Sequence, residues 1–231
     1  MATRLAFGFP LYLLLLAVAS NLANVDAAGA QTRPAEFPIA NAPLPVRVLI
    51  QSPADTETEL QIICLFESVP ANVLHGSLAE IDEKLKGLLV ALRKPDLFRG
   101  ELGETILIAP PVGGLAARRL LIIGLGPSDT FTPQRMELVG SIAYRESNRL
   151  GIKHPFFAPA ILDGGITKIN SGETAESFFS GFLRALRTEK VLVGTSESTG
   201  RAVEDLTFLA GPTHATDTQH GLERAVTNSA K

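Results

Sequence analysis

Short apolar runs alternate with helical patterns along most of this chain, and this alternation constrains the fold more than any other feature. Strands are predicted at residues 46–51, 60–66, 104–109, 119–125 and 154–162. Helices are predicted at residues 78–92, 132–149 and 171–187. Because strands and helices alternate, we expect an α/β fold of three layers, α/β/α, with one sheet covered on both faces.

The turn between residues 109 and 119 indicates whether the sheet is parallel or mixed. Pro110-Pro111-Val112-Gly113-Gly114 joins two predicted strands and is typical of a tight turn. Two strands joined in this way pair as a hairpin, so the sheet is predicted to be mixed rather than purely parallel. Further strands are predicted at residues 189–193 and 206–209. The polar tail from residue 212 to 231 is expected to be helical or loose.

The N-terminal segment has the three-part pattern of a secretory signal peptide. Arg4 precedes a nearly continuous apolar run over residues 5–19, and Ala28-Gly29-Ala30 follows a polar stretch. We expect residues 1–30 to be removed by cleavage before Gln31, although a transmembrane anchor is the alternative that such a run raises. The mature protein is then predicted to be periplasmic or extracellular, with no stable membrane insertion after cleavage.

The predicted domain organisation follows from this export signal. Residues 31–45 are rich in proline and predict an extended linker. Residues 46–211 form the predicted α/β domain, and residues 212–231 form the tail.

The chain has 231 residues and a net charge of −3, so we expect no general attraction to nucleic acid. The single cysteine, Cys64, cannot form an internal disulfide and is predicted to be buried in a strand.

The residues do not predict a catalytic, metal or cofactor site. None of the four histidines (His75, His154, His214, His220) has the spacing of a zinc peptidase helix, and all four are expected at the surface. No Gly-x-Ser-x-Gly motif of a nucleophile elbow occurs. One loop, Asp163-Gly164-Gly165, follows a predicted strand and precedes a predicted helix. Its amides could face a phosphate or carboxylate, so it is the candidate ligand loop; a flexible surface loop is the alternative.

Three segments resemble a known family. Residues 101–105 read Glu-Leu-Gly-Glu-Thr, residues 119–126 read Arg-Leu-Leu-Ile-Ile-Gly-Leu-Gly, and residues 140–143 read Gly-Ser-Ile-Ala. This succession of strand, turn, strand and small-residue helix resembles the N-terminal domain of the leucyl aminopeptidase family of two-metal peptidases. The resemblance implies a macro-domain-like fold over residues 60–209. The family's catalytic motifs are not found in this sequence, so no catalytic residue or metal ligand is carried over.

The resemblance leaves three functions open. The first is an exported, non-catalytic binding or interaction module, with an unidentified protein partner or small ligand and possible homo-oligomers. The second is a regulatory or assembly subunit of a metallo-aminopeptidase whose catalytic domain is a separate chain. The third is binding or hydrolysis of a nucleotide or ADP-ribose-type ligand in a macro-type cleft. Macro domains carry an asparagine in their first loop. That loop is not recognisable after residues 60–66 of this chain, where Asn72 is only a faint echo of it.

Overall fold

The computed structural model describes residues 34–67, 73–94, 97–166, 168–200 and 203–229. The predicted signal peptide, its cleavage site before Gln31 and Asn72 lie outside the described residues. The described residues form a seven-stranded sheet with spatial order β1-β2-β7-β6-β3-β5-β4. The strands are β1 (Glu36–Pro38), β2 (Val46–Leu49), β3 (Gln61–Leu65), β4 (Thr105–Ile108), β5 (Leu120–Gly124), β6 (Phe156–Ala158) and β7 (Leu206–Leu209).

The sheet is mixed, as the sequence predicts. The five inner strands are parallel, whereas β1 and β4 run antiparallel to their neighbours at the two edges. The predicted hairpin of β4 and β5 is confirmed, with Ile106 opposite Ile122. Inner strands are apolar on both sides because helices cover both faces.

Helices cover the two faces of the sheet unequally. The helices are α1 (Gly76–Lys84), α2 (Leu88–Leu92), α3 (Met136–Leu150), α4 (Ser171–Gly194) and α5 (Ala215–Ser229). Residues of α3, α4 and α5 share one core cluster with the sheet, and residues of α1 and α2 share the other. The three-layer α/β/α prediction is therefore confirmed. No helix among the described residues is long and apolar enough to span a bilayer.

The face under α3, α4 and α5 holds an aromatic core. Phe157 of β6 stacks on Phe178 of α4 with ring centroids 3.8 Å apart, and Phe208 of β7 lies edge-on to both rings. Helices α3 and α4 approach so closely that a Cβ atom on Gly181 would lie 1.9 Å from the Glu137 carbonyl oxygen. Small residues at this crossing therefore let two long helices pack backbone to backbone.

The opposite face is covered by shorter elements. The predicted helix 78–92 is divided at Gly87, which has φ +81° and begins α2. The Asp82 carboxylate accepts a hydrogen bond of 2.7 Å from the Leu89 amide, so the start of α2 is capped from α1. The leucine pattern is preserved across the break, because Leu78 and Leu89 are both fully buried.

Two segments differ from their predicted structure, and a third takes one of its two predicted forms. Residues 189–193, predicted as a strand, are the last turns of α4, because a helix already propagated from Ser171 overrides the β-propensity of Val191 and Val193. The predicted linker contributes β1, which pairs with β2. The tail, predicted as helical or loose, contains helix α5, whose Leu222 is fully buried in the core.

Candidate functional site

A cavity of about 470 Å³ opens at the carboxyl ends of β2, β7 and β6, and we call it the cleft. Chain leaving β2 crosses the α1 and α2 face, where Ala54 joins that core cluster, whereas chain leaving β7 enters α5 on the opposite face. Neighbouring parallel strands whose connections leave to opposite faces form a crevice, and ligands of open α/β sheets bind in such crevices. The topology therefore produces the cleft.

The cleft has apolar walls and a limited set of polar groups. The apolar part of the wall includes Ile50, Pro53, Ala158, Ile161, Leu209 and Pro212. The polar part includes Ser52, Ser77, Glu80, Asp163, Ser171, Thr174, His214 and Thr218. A concave apolar site with a few converging polar groups is the usual form of a small-molecule site, and the volume lies in the range of about 300–1,000 Å³ that such sites have.

The starts of α4 and α5 bring a serine and a histidine together in the cleft. Ser171 is the first residue of α4, and His214 directly precedes α5. Ser171 Oγ lies 3.0 Å from His214 Nδ1. The two helices pack closely here, because a Cβ atom on Gly221 would lie 2.1 Å from the Gly172 carbonyl oxygen. Both helices therefore point their N-terminal ends, which attract negative charge, toward one side of the cleft.

Asp163, from the candidate ligand loop, lines the cleft and is already hydrogen-bonded. Its carboxylate accepts a hydrogen bond of 3.0 Å from the Ser77 amide and another from the Ser77 hydroxyl. The Asp163 carbonyl accepts from the His75 amide at 3.1 Å. The loop therefore anchors the start of α1, where a carboxylate satisfies a helix amide and favours the helix dipole.

The two glycines of the candidate ligand loop have other tasks. The Gly164 amide donates to carbonyl oxygens of Ala160 and Ile161, and the Gly165 amide donates to Leu162. A Cβ atom on Gly164 would lie 2.8 Å from the ring of Phe66, so glycine lets the loop pack on that ring. Both amides are thus hydrogen-bonded within the turn itself. A ligand-binding role for the loop stays a prediction.

The connection from β2 to β3 forms the wall opposite α4 and is tied to α1. The Ser52 hydroxyl donates to Glu80 at 2.8 Å. The Lys84 ammonium group donates to the Ala54 carbonyl at 2.9 Å and pairs with Asp55. Both acidic side chains of the cleft, Glu80 and Asp163, therefore accept hydrogen bonds from neighbouring serines.

A second, more polar cavity adjoins the cleft, and we call it the polar cavity. The two cavities share Leu162, Ile169 and His214. The polar cavity is also lined by Lys168 and Arg224, with acidic neighbours that include Glu176, which pairs with Arg224 at 2.6 Å. Side chains of both charges therefore lie next to the cleft, at the end where α4 begins: Lys168 and Arg224 with Glu173, Glu176 and Asp217.

The other residues singled out by the sequence lie apart from the cleft. His75 precedes α1, His154 pairs with Asp205 at 2.7 Å, and His220 lines the polar cavity. Cys64 is buried as predicted, and burial raises the pKa of its thiol far above the ordinary range. In the described part of the chain, no three His, Cys, Asp or Glu side chains are grouped as metal ligands would be.

Sequence reasoning missed His214 as a cleft residue. The sequence places His214 in a polar tail that is predicted to be helical or loose, so the prediction puts it at the surface. A signal was available: Ser171 and His214 each follow a predicted strand, and carboxyl ends of parallel strands meet at one edge of a sheet. The contribution of Ser52 had no signal, because it depends on the path of an irregular connection.

Comparison with protein families gives a match over more than half of the chain. Residues 62–186 match the N-terminal domain of the cytosol aminopeptidase family. A probable cytosol aminopeptidase of Burkholderia mallei is 35% identical over 75 residues, which are 32% of this chain and 15% of that protein. A second, from Paraburkholderia phymatum, is 39% identical over 71 residues, 31% of this chain and 13% of that protein. The matched region thus spans a small part of these curated relatives.

Solved structures share the fold at low identity. A tomato leucine aminopeptidase variant has a TM-score of 0.58 at 22% identity, covering 83% of this chain and 37% of that one. A macrodomain variant of Oceanobacillus iheyensis has a TM-score of 0.58 at 15% identity, covering 84% and 99%. A Trypanosoma brucei macrodomain in complex with ADP-ribose has a TM-score of 0.52 at 14% identity, covering 75% and 67%. The fold is macro-domain-like, and the chain belongs to the cytosol aminopeptidase family through its N-terminal domain.

Proposed function

We propose that this protein is an exported, non-catalytic binding module whose cleft holds a nucleotide-type ligand. The observation that carries the proposal is the cleft itself, an apolar cavity of about 470 Å³ with Ser171 and His214 at one end. Apolar walls suit a base, and the start of a 24-residue helix suits a phosphate group.

The surroundings of the cleft support the same ligand class. Lys168 lines the adjoining polar cavity and supplies a positive charge beside the α4 start, whereas Arg224 in the same cavity pairs with Glu176. The macrodomains that share this fold include one from Oceanobacillus iheyensis solved with ADP. The carboxylates of Glu80 and Asp163 already accept hydrogen bonds from Ser52 and Ser77. This favours a binding role for the cleft over acid–base chemistry at these two carboxylates.

Titration of purified protein with adenosine, AMP, ADP and ADP-ribose by calorimetry and thermal shift tests the proposal. A ligand present at 100 times its Kd adds about 2.7 kcal/mol to the free energy of unfolding. We expect ADP or ADP-ribose to raise the Tm. We expect Ser171→Ala and His214→Ala to weaken binding about 10-fold or more, because hydrogen bonds to charged groups are strong.

Thr188→Ala, on the same helix as Ser171 but outside both cavities, is the matched control and keeps the affinity. Lack of a Tm shift with every nucleotide at millimolar concentration contradicts the proposed ligand class.

Export is tested separately, by sequencing the N-terminus of the protein recovered from its producing cell. The residue pattern of the first 30 positions supports cleavage, so we expect the chain to begin at Gln31 and to be found outside the cytosol. Recovery of the uncleaved chain in the cytosolic fraction contradicts this part of the proposal.

A second candidate function, hydrolysis of the bound ligand, is favoured by one observation. The distance of 3.0 Å between Ser171 Oγ and His214 Nδ1 lies within the reach of a nucleophile and its base. Incubation with ADP-ribose conjugates, followed by chromatography, distinguishes the two functions. Hydrolysis that Ser171→Ala abolishes favours this candidate, whereas unchanged ligand supports the binding module.

A further inference from the structure

We propose that β4 is a docking edge at which two copies of this chain pair, antiparallel, to extend the sheet across a twofold axis. This inference is independent of the cleft and goes beyond the proposed ligand. It rests on the contrast between the two edges of the sheet, on the direction of the free backbone groups of β4, and on the charges at its ends.

The two edge strands are protected to different degrees. The strand β1 has three residues, including Pro38 and a Glu36 that pairs with Arg47, and prolines and charges are the usual devices that keep a sheet edge unpaired. The strand β4 reads Thr-Ile-Leu-Ile and contains neither device. The acidic residue next to it, Glu104, is turned away: its carboxylate accepts from the amides of Arg99, Gly100 and Glu101 at 2.8–3.1 Å.

Backbone groups on the outer side of β4 have no strand partner among the described residues. The Glu104 carbonyl accepts from the Gly124 amide of the neighbouring strand, so it faces inward. Backbone polar groups alternate between the two sides of a strand, and the N–H and C=O groups of Thr105 and Leu107 therefore point outward. In a symmetric antiparallel pair centred on Ile106, Thr105 of each copy lies opposite Leu107 of the other.

Apolar side chains surround this edge. Leu107 is 42% exposed, Leu102 is 44% exposed, and Leu138 of α3 is 39% exposed. A Cβ atom on Gly103 would contact Leu138, which places this part of α3 beside the start of β4. Pairing two such edges buries these side chains together with the ladder, whereas an isolated monomer leaves them in water.

The charges at the ends of β4 favour a second copy as the occupant. Glu67 and Glu101 both pair with Arg99 and leave a net negative charge at the start of β4. The exposed Arg118 and Arg119 lie beside its end, because Leu120 is opposite Ile108. A twofold axis through Ile106 brings the acidic end of one edge alongside the basic end of the other. The edge is thus complementary to itself, as an isologous contact requires.

Sedimentation velocity of the purified protein at tens of micromolar tests the pairing first. We expect a species of twice the mass of one chain, and we expect Leu107→Lys to convert it to the monomer. The matched control is Leu192→Lys, at an exposed leucine near the end of α4, which leaves the dimer intact. A monomeric native chain, or a dimer lost with Leu192→Lys but kept with Leu107→Lys, overturns the proposal.

A cysteine crosslink tests the register. Ile106 lies opposite its own copy at a non-hydrogen-bonded position, where Cα atoms are about 4.5 Å apart and a disulfide can form. Because Cys64 is buried, Ile106→Cys introduces the one reactive thiol of the described chain. We expect a disulfide-linked dimer on a non-reducing gel, and none from Leu192→Cys. A dimer that persists without this crosslink overturns the Ile106-centred pairing.

A charge exchange tests the orientation. Arg119→Glu is expected to weaken dimerisation at least 10-fold, because it places like charges at both contacts of the twofold. Adding Glu101→Lys restores opposite charges and is expected to restore the dimer. Failure of the double variant to recover, with both variants folded by circular dichroism, contradicts the antiparallel arrangement.

Discussion

The two faces of the sheet differ in what covers them, and the cleft opens where the two coverings meet. One face lies under three helices of at least 15 residues and holds the stacked ring pair Phe157 and Phe178. The other lies under α1, of nine residues, α2, of five, and the irregular β2–β3 connection. The cleft opens where this connection and α1 meet the starts of α4 and α5. The cleft thus lies between one wall of long, closely packed helices and another built from shorter elements.

Removing a ring from the long-helix face is expected to have the largest effect. Phe178→Ala deletes a fully buried ring and should lower the free energy of unfolding by about 3–5 kcal/mol, measured by urea denaturation. Leu89→Ala, on the short-helix face, should cost about 2 kcal/mol, because the shorter elements can relax into the space. Equal losses at the two positions would contradict the difference between the faces.

Widening the contact between α3 and α4 is expected to give the second-largest loss in the free energy of unfolding. Gly181→Ala places a methyl group 1.9 Å from the Glu137 carbonyl oxygen, so the helices must move apart. The expected loss is about 1–3 kcal/mol in the same denaturation experiment. Gly194→Ala, where an added Cβ meets no atom within 4 Å, is the control and should leave stability unchanged or slightly higher. A neutral Gly181→Ala would mean that the crossing is not tight.

Loss of the Asp163 carboxylate is expected to affect the short-helix face alone. Asp163→Ala leaves the Ser77 amide at the start of α1 without its acceptor, which should cost about 1 kcal/mol. Hydrogen exchange measured by mass spectrometry should show faster exchange in α1 and unchanged exchange in α5. Faster exchange in both helices would show that the two faces unfold together.

The smallest expected effect concerns Cys64, whose thiol should stay unreactive in the native chain. Cys64 is 1% exposed, and burial raises the pKa of its thiol, so the native chain should not react with an aromatic disulfide reagent at pH 8. Reaction should follow unfolding in urea. Above about pH 8.5 only the unfolded chain can ionise this thiol, so the free energy of unfolding should fall as the pH rises. Rapid native reaction would contradict a tightly packed sheet.

Much of the fold could be predicted from local patterns, whereas the cleft could not. The apolar run at β3, the leucine spacing at Leu78 and Leu89 and the proline–glycine turn after β4 each report a local physical preference. The strand predicted at residues 189–193 was wrong because β-branched residues carry only a weak preference, which a continuing helix overrides. His214 and Ser171 are 43 residues apart, and nothing in either local pattern reports their contact.

The sequence by itself determined the layered α/β architecture, the mixed sheet and the family, because periodicity and turn chemistry act over a few residues. Tertiary structure alone decided that β2 and β7 lie side by side and send their connections to opposite faces, which opens the cleft. It also decided that β4 lies at an edge of the sheet. The backbone N–H and C=O groups of Thr105 and Leu107 therefore point away from the neighbouring strand β5. The physical reason is that strand order and helix contacts depend on how whole elements bury their apolar faces against one another.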